Sequence, residues 1–392
     1  MKFLNQSHRA IIETETPAYI YDHATLLQNF LDLRSALPEN FEILYSMKAN
    51  PHPKILESLK KIGAAIDVAS LNELNLSQRA GFLPSDVSYV GPGKRDVELQ
   101  AIVSRGVAFP VVESLTELER INFYAAEQGK TVEVCIRLNP FSELSYQFGM
   151  DFELKAEILR TVYSCRNIKL VGTHFYIKSH YLDSKQLLKN FERFYQVAID
   201  FERDYGKPFK MVNFGGGFGI PYFSGQNELD LNELSQGLGN LHRDHISQGL
   251  KECRFFVESG RFLSARCGVY VVKVLYRKVS HGRIFLICDG GMSTHQAATG
   301  VGQVLRRNYE LTLWPQDKLR PTSHSPLEVV TIAGPSCYSL DLLATDVKLP
   351  HAEPGDLICI WNSGAYGKTF SPESFLLLPK AREFFLQEGE LS

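Results

Sequence analysis

The sequence lacks any CxxC pair and holds seven cysteines, an odd number, so neither a disulfide framework nor a zinc site is expected. It also lacks an excess of charge: 42 Lys and Arg stand against 44 Asp and Glu, a net charge of −2. Without a basic surplus to hold phosphates, nucleic-acid and membrane-surface binding are excluded as general functions. No apolar run has the length that spans a bilayer, and Met1-Lys2-Phe3 does not open a signal peptide. Low-complexity segments are missing too. What remains is an ordinary globular mixture, 44% hydrophobic and 22% charged, in 392 residues that are too many for one core. Two domains are expected, in a cytoplasmic enzyme or binding protein.

Short apolar strands alternate with amphipathic stretches from about residue 25 to 258. Eight strands are predicted, at 42–46, 65–68, 87–90, 109–112, 133–138, 169–175, 211–214 and 254–257. Helical spacing of apolar residues marks 53–61, 71–80, 115–128 and 185–205 between them. Eight β-then-α units are the pattern of a TIM barrel; a doubly wound open sheet would seldom need so many strands. Beyond residue 261 the texture becomes β-rich, at 269–276, 284–288, 328–332 and 357–361, with Gly and Pro turns between. The expected division is therefore an N-terminal strand segment (1–25, strand near 18–21) joining the β domain, a barrel (26–260) and a β domain (261–392). The stretch 294–325 is polar and unpatterned and reads as a loop over the site.

Lys48 lies in Tyr45-Ser46-Met47-Lys48-Ala49-Asn50, just past the first barrel strand. A strand that buries its apolar residues carries such a lysine out at its C-terminal end, the edge where parallel α/β enzymes place their chemistry. Most lysines are solvated surface residues. One held at such an edge can lose its proton and form a Schiff base with a carbonyl cofactor such as pyridoxal phosphate. Asn213-Phe214-Gly215-Gly216-Gly217-Phe218-Gly219 follows the seventh strand. In isolation it would be a tight turn, but after that strand it is a phosphate cradle of bare backbone. Glu258-Ser259-Gly260-Arg261 ends the eighth strand and offers a guanidinium fork for the same phosphate. Glu258 could keep a pyridine nitrogen protonated there, although a plain Glu–Arg surface pair is an equal reading of the motif alone. Gly334-Pro335-Ser336-Cys337 presents a candidate reactive thiol after a rigid turn. Gly364-Ala365-Tyr366 is uninformative by itself.

These motifs, with Asp67-Val68-Ala69-Ser70, Gly91-Pro92-Gly93-Lys94 and Gln147-Phe148-Gly149, run in one order over nearly the whole chain. The chain resembles the fold-type III pyridoxal-phosphate decarboxylases, the ornithine and diaminopimelate decarboxylase family. The resemblance implies an alanine-racemase-like TIM barrel with a C-terminal β-sandwich or barrel domain, and a homodimer with shared active sites. It implies Lys48 as the cofactor lysine, Asp67 as the neighbour that tunes it, and Glu258 on the pyridine nitrogen. Ser179, Gly215, Gly216, Gly217, Gly260, Arg261 and Tyr366 are similar to its phosphate site. Cys337, delivered from the partner subunit, resembles the thiol that protonates Cα after CO₂ leaves. Racemases of this fold lack the cysteine motif, which favours decarboxylation.

Two departures bear on substrate. The family's His-x-His-Ile-Gly-Ser stretch is here His174-Phe175-Tyr176-Ile177-Lys178-Ser179, so Tyr176 replaces the histidine that stacks on the cofactor ring. His174 reads as a hydrogen-bonded barrel histidine rather than a base. Tyr338 follows Cys337 where ornithine and diaminopimelate decarboxylases carry Asp or Glu for the distal ammonium, and Ser293-Thr294-His295-Gln296 stands where diaminopimelate decarboxylases have an Arg-Pro stretch. Glu258-Ser259-Gly260-Arg261 and Ile220-Pro221-Tyr222-Phe223 resemble a branch from secondary-metabolite and siderophore pathways that includes carrier-bound glutamyl decarboxylases. The expected substrate is an amino acid in a conjugate or on a carrier protein. Diaminopimelate decarboxylation, racemisation and a non-catalytic binding role are the alternatives, in that order.

Overall fold

The computed structural model describes residues 3–140, 147–301, 306–317, 320 and 325–392. The chain divides into two units, one of Asn29–Ile220 with Glu228–Gly260 and one of the chain up to Gln28 with Pro221–Asn227 and Arg261–Ser392.

The first unit is a closed parallel barrel. Its strands are β1 (Phe41–Ser46), β2 (Ala65–Val68), β3 (Val87–Tyr89), β4 (Phe109–Val112), β5 (Val132–Asn139), β6 (Ile168–His174), β7 (Met211–Asn213) and β8 (Arg254–Ser259). Each pairs with the next in sequence, and β8 pairs with β1 to close the ring. The interior is packed with Leu44, Ala65, Phe109, Val111, Cys135, Val171, Met211 and Phe256. Strand side chains alternate with period two, so the residue two places beyond an interior one also points inward, but at the C-terminal mouth. That rule turns Leu44 into Ser46, Ala65 into Asp67, Val111 into Glu113, Cys135 into Arg137, Met211 into Asn213 and Phe256 into Glu258. All six mouth residues are buried. Helices Leu71–Arg79 and Leu115–Glu127 start there too, capped by Ser70 and Ser114.

In the second unit Gly268–Ser280 is the organising strand. It pairs antiparallel with Ala18–Asp22, with Arg283–Cys288 and with Leu357–Ile360. Arg382–Gln387 lies parallel to Ala18–Asp22, so strands from both ends of the sequence share this sheet. Leu342–Pro350 pairs with Leu327–Ala333, which runs parallel to Arg283–Cys288. Val269, Val271, Trp314, Cys359 and Trp361 form the core under the sheet. Gly268 and Gly364 approach so closely that a Cβ on Gly268 would lie 2.2 Å from the other's Cα.

The described part of 294–325 is not an unpatterned loop. Met292–Thr299 is helical and Leu311–Trp314 is a strand paired with Leu357–Ile360; residues 302–305, 318–319 and 321–324 lie outside the described residues. Its polar side chains are buried by satisfying one another: the Tyr19 hydroxyl donates to the Thr294 carbonyl at 2.6 Å, and His295 Nε2 lies 2.9 Å from Ser363 Oγ. Polar composition concealed order that hydrogen bonding supplies. Among the described residues no helix is long and apolar enough to cross a membrane.

Candidate active site

Lys48 sits in a short 3-10 turn, Met47–Ala49, directly after β1. Its Nζ lies 3.7 Å from Asp67 Oδ2; the lysine side chain is 44% exposed and the aspartate 1%, so the ammonium faces the opening while its counter-ion is sunk. Asp67 Oδ1 is buried without a hydrogen-bond partner. Burial, and then the nearby Glu258 charge, hold the Asp67 carboxyl well above the ordinary range, against the pull of Lys48.

Glu258 has the opposite fate. Burial alone would raise it, but His174, Lys48 and Arg137 overcome that and bring it down to about 2. His174 Nε2 lies 2.8 Å from Glu258 Oε1, and Asn213 Nδ2 donates to the same oxygen at 3.0 Å. His174 is thus a hydrogen-bonded residue of the barrel interior. Two carboxylates in one buried mouth are pushed apart, one kept ionised and one drawn toward protonation.

The glycine loop lies beside them. Asn213 Oδ1 accepts from Gly215 N at 2.8 Å, and the Glu258 amide donates to the Gly215 carbonyl at 2.8 Å. A Cβ on Gly215 would lie 2.1 Å from the Phe175 carbonyl and one on Gly216 would lie 2.9 Å from that of Glu258. At Gly217, where φ is +126°, a Cβ would press on the Tyr181 ring. The loop carrying Tyr176, Lys178 and the exposed Ser179 is zipped onto it, Tyr181 N donating to the Gly217 carbonyl at 2.7 Å and Gly219 N to that of Tyr181 at 2.9 Å. A Cβ on Gly260 would meet Ala49 at 2.7 Å, which ties the end of β8 to the lysine turn.

In the second unit Arg261 is folded against two aromatic rings. Its Nη1 donates to the Tyr222 hydroxyl at 3.0 Å and its guanidinium carbon stands 4.7 Å from the centre of the Tyr366 ring. Its Nε is buried without a partner. Tyr366 itself has φ +59°, a left-handed conformation that a tyrosine rarely adopts. Cys337 is exposed, and Tyr338 is 40% exposed with its ring edge-on to Phe375. The turn that presents them is pinned by Asp341, which accepts from Met292 N at 2.6 Å and Ser336 N at 3.1 Å. Arg306 donates to the Leu342 carbonyl and Arg307 lies over the Phe223 ring, so both arginines already have partners within the unit.

The barrel therefore brings together Lys48, Asp67, Glu258 and Gly215–Gly217. Glu113, Arg137, Asn213 and Asp341 carry no role in the sequence reading; the first three become visible once each is counted two places from an interior residue. The donor set of the barrel fits pyridoxal phosphate: a lysine for its aldehyde carbon, a buried carboxylate for its ring nitrogen and side-chain-free backbone at Gly215–Gly217 for its phosphate. A parallel barrel with this equipment is a cofactor-dependent barrel enzyme.

Comparison with known proteins narrows that class. Residues 23–265 match the family model for the pyridoxal-dependent decarboxylase, pyridoxal binding domain. The L-glutamyl-[BtrI acyl-carrier protein] decarboxylase of Niallia circulans is 35% identical over 96% of this chain and 90% of its own length. The 2-[(L-alanin-3-ylcarbamoyl)methyl]-2-hydroxybutanedioate decarboxylase of Staphylococcus aureus is 29% identical over 94% of both chains. In fold, the crystal structure of diaminopimelate decarboxylase from Helicobacter pylori complexed with L-lysine superposes with a TM-score of 0.86 at 24% identity, covering 99% of this chain and 95% of that one. The chain belongs to the pyridoxal-dependent decarboxylases. It is a lyase that uses pyridoxal phosphate to remove CO₂ from an amino acid.

Proposed function

We propose that this decarboxylase acts on an amino acid presented in a conjugate or on a carrier protein, in a specialised biosynthetic pathway. The observation that carries the reading is Tyr338, next to the exposed Cys337. A phenol cannot replace the carboxylate that grips a free distal ammonium, a charge-assisted contact worth roughly 1.5–3 kcal/mol. The names of both relatives above specify an amino-acid residue joined to a larger group, which supports the same substrate class.

Roles follow from the family resemblance, with the chemistry of the side chains in support. Lys48 would hold the cofactor through its amine, with the Asp67 carboxyl 3.7 Å from that nitrogen to tune it. Glu258 keeps the ring nitrogen protonated, and His174 and Asn213 keep Glu258 ionised and aimed. By the resemblance, Gly215, Gly216, Gly217, Ser179, Gly260, Arg261 and Tyr366 would hold the phosphate, and the Tyr176 ring would support the cofactor ring. When bound, pyridoxal phosphate supplies the electron sink for the pair that departing CO₂ leaves on Cα. Cys337 of the partner subunit, or the Lys48 ammonium, returns a proton to that carbon. A homodimer supplies that thiol, and seven unbridged cysteines support a reducing, cytoplasmic location.

The test is to offer the cofactor-loaded enzyme free glutamate, free diaminopimelate and a glutamyl thioester on an acyl-carrier protein, and to follow loss of CO₂ by mass spectrometry. Loss confined to the carrier-bound substrate is expected. Efficient loss from free diaminopimelate would overturn the assignment of Tyr338. In the converse direction, Tyr338→Glu should improve kcat/KM for free diaminopimelate by about tenfold or more, the worth of the restored contact.

A further inference from the structure

Two motifs named in the sequence, Gly91-Pro92-Gly93-Lys94 and Gln147-Phe148-Gly149, have no part in the roles assigned above. In the barrel they meet at one side chain. Glu113, 5% exposed, accepts from Gly91 N through Oε1 at 2.9 Å. Its Oε2 accepts from Gly149 N at 3.2 Å and from Arg137 Nη1 at 3.1 Å. Lys94 closes the other side: its buried ammonium donates to the carbonyls of Gly91 and Val111 at 2.7 Å and pairs with Glu117 at 2.7 Å. Glu117 in turn accepts from Glu113 N at 2.9 Å. Among the described residues the Glu113 carboxylate thus accepts from the backbone of both motifs and from one side chain, that of Arg137.

Arg137, 7% exposed, carries that restraint onward. Its guanidinium carbon stands 4.7 Å from the centre of the Phe148 ring and 5.5 Å from that of Tyr176. Gly149, with φ +73°, lets the chain pass against Arg137; a Cβ there would lie 3.0 Å from the Arg137 carbonyl. Burying a Glu–Arg pair is costly unless hydrogen bonds compensate it, and both carboxylate oxygens of Glu113 have donors. A cation held against a desolvated ring face attracts it, and a planar guanidinium does so with a fixed orientation that an ammonium lacks.

We propose that Glu113 and Arg137 are positioning residues for Tyr176: the carboxylate fixes the guanidinium, and the guanidinium fixes the ring on which the cofactor rests. The proposal depends on Tyr176 being that support, as assigned above. It explains why a phenol can serve where the family resemblance leads one to expect a histidine, since the arginine supplies the anchor that the phenol cannot make through a ring nitrogen.

A double-mutant cycle on the dissociation constant of pyridoxal phosphate, titrated into apo-enzyme, tests it together with the visible circular dichroism of the bound cofactor. Tyr176→Leu should weaken the cofactor and alter its dichroism. Arg137→Lys, which keeps the charge, should weaken it by about tenfold, the scale of a desolvated cation–π contact. The double variant should be no worse than Tyr176→Leu alone. If the two losses add in full, Arg137 does not act through the ring and the proposal falls while the support role of Tyr176 stands. If Tyr176→Leu leaves both constant and dichroism unchanged, the support role falls and the proposal with it. Should Arg137→Lys fail to fold, Glu113→Gln runs the same cycle with the same two readings.

Discussion

Glu258 shows what a single side chain can be made to do by its surroundings. Burial would neutralise it, yet its contacts with His174, Lys48 and Arg137 keep it ionised, and the Asn213 amide donates to the oxygen that faces His174. Glu258→Gln preserves size and loses the charge, so kcat should fall about a hundredfold or more while cofactor still binds; an unchanged kcat would remove Glu258 from the chemistry. Because its folded pKa, about 2, lies below its ordinary 4.5, the carboxylate's share of stability is complete above pH 4.5 and is lost as pH falls toward 2. The stability gap between wild type and Glu258→Gln should close over that window. Lys48, Asp67 and Glu258 were legible in sequence because each stands at a strand end within a recognisable motif. Arg137 and Glu113 were not, since an arginine or glutamate near a strand end usually faces solvent and only the closed barrel turns them inward.

At the scale of elements, the eight barrel strands were readable from short apolar runs followed by helical spacing, with boundaries off by at most a few residues. The helix at Met292–Thr299 and the strand at Leu311–Trp314 were not, because their order rests on long-range pairing and on buried polar groups such as Thr294 and His295. The glycine loop is the element whose geometry is most demanding. At Gly217 a methyl group would sit 2.9 Å from the Tyr181 ring and 3.1 Å from the Lys178 carbonyl, on a backbone with φ +126°. Gly217→Ala should therefore weaken cofactor binding and destabilise the fold by about 1–3 kcal/mol. Gly93→Ala is the matched control: no atom lies within 4 Å of its Cβ, and its stability should stay within about 0.5 kcal/mol of wild type. Equal effects at the two positions would mean that the loop is not a tight cradle.

For the whole molecule, one barrel mouth gathers charged side chains from four strand ends, Asp67, Glu113, Arg137 and Glu258, together with the neutral Ser46 and Asn213 that the same interior rule aims inward; the β unit carries Cys337, Tyr338, Arg261 and Tyr366. The family states the reaction, and the residues of this chain set how it is performed and on what. All of those roles presuppose that the cofactor is carried at Lys48. Borohydride reduction of the cofactor-loaded enzyme, followed by proteolysis and peptide mass spectrometry, tests this most directly. The reduced pyridoxyl-phosphate mass is expected on the peptide containing Lys48 and is expected to be absent from Lys48→Ala protein. Stoichiometric label on another lysine, such as Lys94 or Lys178, would contradict it.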